Sequence, residues 1–176
     1  MIGVEHAQLI EAALVAYLTG LNDGADPPNS LWPASLMVSG TPPVLRISAG
    51  EDILLKDGQC VVCSVGKDFT EEYPPSSGNR WCECTVELKT PVTQLSPSQL
   101  ASNPVPPTAL ANHRAAANVL ENAVLVQNFP DLLTAASNGL TCFGVTDRLP
   151  VREQTKDYWL SGFKFRLYSC PSEFPN

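Results

Sequence analysis

Charge is scarce in this chain of 176 residues. Asp, Glu, Lys and Arg together make up 16% of it, against about a quarter in an ordinary soluble domain. A surface so thinly charged is expected to be partly covered by partners. Bases are scarcer than acids, 11 against 18, for a formal charge of −7. That balance excludes a general nucleic-acid binder, which needs a basic patch to displace phosphate counterions. Acidity also keeps a protein off DNA. No apolar run approaches the ~20 residues of a membrane-spanning helix. The opening "MIGVEHAQLIEAALVAYLTG" carries acidic and polar residues where a secretory leader has a basic and then an apolar region. The expectation is folding in a cytoplasm, with thiols reduced and disulfides absent.

Catalytic signatures are missing as well. There is no G-x-S-x-G, no Walker loop and no G-x-G-x-x-G. Of the two histidines, His6 belongs to a first helix and His113 to the start of a second. A histidine on a helix surface is more often packed or solvated than catalytic. Asp68, Glu71 and Glu72 match no calcium-loop spacing and read as a solvated acidic tip. No catalytic residue, metal ligand or cofactor is therefore assigned.

What is present is enough for a core, since 44% of the residues are apolar and the length suits one domain. Ile10, Leu14, Tyr17, Leu18 and Leu21 recur at helical spacing over 5–19, with Gly20 as a stop. Residues 22–43 hold prolines and glycines and read as a long loop or loose insertion, pinned by Trp32, Leu36 and Met37. Short strands are predicted over 44–48 and 52–58, and a buried strand over 59–66. A loop over 67–79 leads to the clearest strand, 80–90. There Cys82, Cys84, Val86 and Leu88 share one face, and Trp81, Glu83, Thr85, Glu87 and Lys89 the other.

Residues 91–107 form another proline-rich connection. Thr108 can cap a helix over 109–126, striped by Leu110, Ala117, Leu120 and Val124. A short helix starts at Pro130 and stops at Asn138-Gly139. A strand over 140–147, a polar link and a long strand over 158–170 close the chain. Strands before and after a helical segment make the α+β pattern. The expected architecture is a single domain with a mostly antiparallel sheet, helices on one face and long proline-rich loops.

Four of the six cysteines fall in two pairs, Cys60 with Cys63 and Cys82 with Cys84. The spacing is superficially that of a zinc ribbon. A strand, however, points residues 60 and 63 to opposite faces. It also holds the sulfurs of 82 and 84 roughly 7 Å apart, too far for one tetrahedral metal. The cysteines read instead as small buried hydrophobes.

Trp81 sits on the otherwise polar face of its strand. Such a tryptophan either packs under a loop or is offered to another subunit. The candidates for an interface between subunits are Trp81 and Glu83 on one long strand and Tyr158, Trp159, Lys164 and Arg166 on the other. The edges of these strands can be extended by a neighbour's strand, and the proline-rich segments are extended enough to reach across.

Taken in order, "LIEAALVAYL", "CVVCSVG", "RWCECTVELKT", "NHRAAANVLENAV", "FGVTD" and "YWLSGFKFRLYSCP" resemble the tail terminator (tail completion) proteins of long-tailed phages and prophages. The resemblance covers most of the chain apart from 22–43. It implies a structural virion protein without catalytic residues. Such a protein forms a ring, commonly a hexamer, that caps the tail tube and ends its polymerisation. The ring then offers a surface to the head connector, or stopper, protein. Its partners would be copies of itself, the tail tube protein and the connector, with DNA only passing through the lumen and no membrane. Its place would be the head-proximal end of the tail, reached from the host cytoplasm. A negative charge would suit a lumen through which DNA slides.

Three readings compete: another neck, head-completion or tube-type ring protein; a zinc-binding or thiol protein using Cys60, Cys63, Cys82 and Cys84; and a small hydrolase with a cryptic site.

Overall fold

The computed structural model describes residues 2–38, 44–50, 58–66, 70–71, 80–92 and 109–171. The expected strand over 52–58, most of the 67–79 loop, the 93–107 connection and the Thr108 cap lie outside the described residues.

The first helix, α1 (Ile2–Thr19), starts earlier than its apolar periodicity predicts. His6, Ile10, Ala13, Leu14 and Leu18 form its buried stripe, at the three- and four-residue spacing of one helix face. The backbone N–H of Gly20 bonds to Ala16 O, the last helical turn.

The segment that follows is more ordered than a loose insertion. The Asp23 carboxylate accepts the backbone N–H groups of Ala25 and Asn29 and the Asn29 side-chain amide. Those bonds, with Asn29 first, hold its pKa down to about 2. Trp32 and Leu36 are then buried in the main core. The Trp32 indole donates to Leu18 O at 2.7 Å, satisfying a carbonyl that the end of α1 leaves without an intrahelical partner. Met37, read as a third anchor, remains half-buried.

Strand β1 (Met37–Val38) pairs with β2 (Val44–Leu45). The main sheet contains β3 (Ile47–Ala49), β4 (Cys60–Val65), β5 (Thr70–Glu71), β6 (Arg80–Pro91), β7 (Leu140–Gln154) and β8 (Tyr158–Pro171). Its order is β3-β4-β6-β8-β7, with β5 paired to the start of β6. Every pairing is antiparallel except β3 with β4. Residues 70–71 are thus strand where the sequence reads as loop.

Helix α2 (Ala109–Leu125) packs on β6 and β8, and α3 (Phe129–Ala136) on β7, while α1 lies over β3 and β4. In α2 the buried residues are His113, Ala116, Leu120, Ala123 and Val124. The stripe is rotated from the predicted one, and a histidine occupies a core position. Phe129, at the start of α3, stands edge-on to Phe165 of β8 at 5.6 Å and tilts against Tyr17 of α1 at 5.5 Å. Tyr17 Oη donates to Ala123 O, so all three helices meet around one aromatic cluster.

The result is a single-domain α+β fold of two layers, helices over one face of a sheet. The covered face carries Val61 and Cys63 of β4, then Cys82, Cys84, Val86 and Leu88 of β6, then Phe163, Phe165 and Leu167 of β8. This is the alternation that the sequence predicts for β6 and β8. At Gly162, buried between β6 and β7, a Cβ would collide with Val86 O, so only glycine fits.

The largest difference from the sequence reading is at 148–154. "RLPVREQ" reads as a polar link, yet β7 runs through it and pairs with β8 to the Gln154–Trp159 pair. Among the described residues β7 is the edge strand, and one side of its backbone meets no described neighbour in the sheet. An edge tolerates Pro150, which has no N–H to give, and tolerates charge on both faces. Register shifts between Cys142 and Gly144 and between Thr146 and Leu149 bend it further. The polar link shrinks to the turn at 155–157, where Thr155 Oγ1 accepts the N–H groups of Asp157 and Tyr158.

Candidate functional site

The register places most of the predicted interface residues on the sheet face away from the helices. Trp81 stands opposite Tyr168, Glu83 opposite Arg166, and Thr85 opposite Lys164. Paired residues point to the same side, so these chains form one patch. Arg166 lies over the Trp81 ring, its guanidinium carbon 4.8 Å from the centroid. Lys164 Nζ approaches Glu83 Oε2 at 2.8 Å, and Arg166 reaches Asp147 at 3.2 Å. The Lys164 hydrogen bond, then its charge, holds the Glu83 carboxyl below its ordinary pKa. Leu149, opposite Lys164, adds an apolar chain that is 59% exposed. Asp147, in the bulge at φ 54°, is a contributor that the sequence reading missed. A backbone bulge leaves no periodic signal.

Two expectations need correction. Trp159 does not join this patch: its partner in register is Thr90 of the covered face, and its ring tilts against His113 at 6.3 Å. It alternates with Tyr158, so the two adjacent aromatics point to opposite sides, and Tyr158 lies at the far end opposite Pro91. Nor are β6 and β8 available as edges. β6 lies between β4 with β5 and β8, and β8 between β6 and β7. Their hydrogen bonds are taken, and only side chains remain to meet a partner.

The cysteine geometry also departs from the simple strand picture. Cys60 and Cys63 do face opposite sides, opposite Lys89 and Val86 respectively. The Sγ atoms of Cys82 and Cys84, however, are 3.7 Å apart rather than about 7 Å. The spacing rule describes side chains standing upright, whereas these two lean together under the helices. All six cysteines are thiols. Burial pushes Cys63 and Cys142 up to about 12. The hydrogen bond to Cys82 and then burial raise Cys84 well above an ordinary thiol. A zinc ligand must be a thiolate, and this environment favours the protonated form. No group of three or more His, Cys, Asp or Glu among the described residues is placed to hold a metal.

Beneath α2 runs a buried polar chain that no sequence motif announces. Ser35 Oγ donates to Gln59 Oε1 at 2.7 Å, and Gln59 Nε2 donates to Thr90 Oγ1 at 2.8 Å. Thr90 Oγ1 lies 2.8 Å from His113 Nδ1, and His113 Nε2 lies 2.8 Å from Ser161 Oγ. Thr90 Oγ1 accepts from Gln59 and keeps a second lone pair and its own proton for the His113 ring. Burial lowers the His113 pKa, keeping the ring neutral. His6 is buried on the same face, 3.0 Å from Ser169 Oγ. Burial first, then the charge of Arg80, lowers its pKa to about 4. These residues are scattered from 6 to 169, so only the fold assembles them.

No helix among the described residues is long and apolar enough to cross a membrane. No family model matches this chain, and no curated protein matches its sequence.

Proposed function

We propose that this protein is a structural subunit that closes into a ring, six copies being the expected number, and caps a phage tail tube. The ring ends tube growth and presents a joining surface to the head connector. The observation that carries this reading is the sheet face that no described helix covers. Trp81, Arg166, Lys164, Glu83, Asp147 and Leu149 lie together there, in a chain otherwise poor in charge. A tryptophan stacked with an arginine is the pairing of residue types enriched at subunit contacts. The order of elements, one helix, a sheet, two helices and a long closing hairpin, adds the resemblance to tail terminators.

A closed ring needs a heterologous interface, in which the patch on one copy meets a different surface on the next. Native mass spectrometry of the untagged protein over a range of concentrations, under reducing conditions, tests the proposal. A metal-free closed oligomer, above all a hexamer, is expected. If the free protein is a monomer, purified tail tubes are added. A monomer that still caps no tube overturns the reading. The same spectrum weighs the metal alternative, since one bound zinc per chain would show directly as mass.

A further inference from the structure

The chain has six arginines in an acidic sequence. Three of them, Arg114 of α2 and Arg148 and Arg152 of β7, line one cleft of about 400 Å³ between α2 and the edge strand. Glu121 is the acid among the lining residues, and His113 and Ser161 form the inner wall. Arg148 is anchored, donating to Val126 O at 3.2 Å with its guanidinium 5.8 Å from the Phe129 centroid. Arg114 and Arg152 have no ion-pair partner among the described residues. Both are exposed, and Arg152 stands opposite Ser161 in register, on the cleft side of the sheet.

The polar chain ends at this cleft. The Ser161 hydroxyl, 2.8 Å from His113 Nε2 and opposite Arg152 in register, lines it together with Arg114. A hydroxyl and two guanidinium side chains without an ion-pair partner among the described residues are complementary to one ligand chemistry. Guanidinium forks bind carboxylate and phosphate oxygens, in the best case two at a time.

We propose that the cleft between α2 and β7 is an oxyanion site. It takes a phosphate or carboxylate group on Arg114 and Arg152, beside the Ser161 hydroxyl. This site is separate from the open sheet face, and the proposal does not depend on ring formation.

Thermal unfolding of the full chain tests it, at matched ionic strength in chloride, inorganic phosphate or glutamate. Phosphate and glutamate stabilise many proteins by exclusion from their surface. That contribution is shared by the wild type and by Arg114→Gln/Arg152→Gln, whose changes are at exposed positions. The expected result is an extra rise in Tm for the wild type, about 5 °C or more once ligand exceeds Kd a hundredfold. Ser161→Ala should lose part of that rise. A rise confined to phosphate identifies a phosphate site; one confined to glutamate identifies a carboxylate site, as a neighbouring protein chain would supply. Equal gains in the wild type and the double variant would overturn the proposal.

Discussion

One sheet presents two unlike faces, although both are built from alternate residues of the same strands. On β6 and β8, Cys82, Cys84, Phe163, Phe165 and Leu167 turn under the helices, while Trp81, Glu83, Lys164 and Arg166 turn outward. The covered face is apolar, and burial holds its Cys63, Cys84 and Cys142 thiols protonated. Where it is polar, at Gln59, Thr90, His113 and Ser161, the groups are joined into a hydrogen-bonded chain. The outer face keeps its charges in solvent-exposed pairs. Burial therefore sets what a side chain is worth here. The inner residues set stability, whereas the outer ones are available for recognition.

Substitution should separate the two faces sharply. Phe165→Ala empties the ring contact with Phe129 and should cost about 3–5 kcal/mol in chemical denaturation. A loss below 1 kcal/mol would mean that the inner face is not the stabilising one.

Acid should act on the same face. The His6 pKa is lowered from 6.5 to about 4 in the fold, so the unfolded chain takes up its proton first. The stability contributed by neutral His6 is complete above pH 6.5 and is lost as pH falls towards 4. The loss is on the order of 3 kcal/mol over that window. His113, also lowered, adds in the same direction. Unfolding midpoints measured from pH 7 to pH 5 should fall in the wild type and fall less steeply in His6→Asn, where His113 still titrates.

The two tryptophans give the most direct comparison. Trp159→Ala removes packing against His113 and should lower stability by about 1–2 kcal/mol. Trp81→Ala loses the Arg166 contact, about 0.5–1 kcal/mol, with part of the half-buried ring's packing, but should reduce ring formation at least tenfold by native mass spectrometry. Equal assembly in well-folded Trp81→Ala would break the link between the open face and the ring. The smallest effect belongs to Glu83 and Lys164. A double-mutant cycle on this exposed pair should give a weak coupling that disappears in high salt.

The inner and outer faces of β6 and β8 were legible because strand alternation is strict wherever one face is buried. The helices were legible from their apolar spacing, as was the α+β order. The edge strand β7 was only half legible: it ends at 147 in the pattern and at 154 in the molecule. Half-exposed strands with a proline and charges on both faces leave no period to read. Within the open patch, Trp81, Glu83, Lys164 and Arg166 could be named from alternation alone. Asp147 and Leu149 could not, because a bulge changes which face each residue meets.

The sequence by itself determined the elements, the inward and outward sides of the long strands, and a chemistry poor in charge and rich in small buried thiols. These follow from periods of two and of three to four residues, which are local. The tertiary structure decided what lies beside what. It seated Trp159 under a helix, brought Cys82 and Cys84 within 3.7 Å, strung Ser35, Gln59, Thr90, His113 and Ser161 into one chain, and gathered three arginines at a single cleft. Apart from the Cys82–Cys84 contact and the neighbouring Arg148 and Arg152, these groupings join residues more than twenty positions apart. Strand register and helix docking bring such residues together, and no local pattern encodes either.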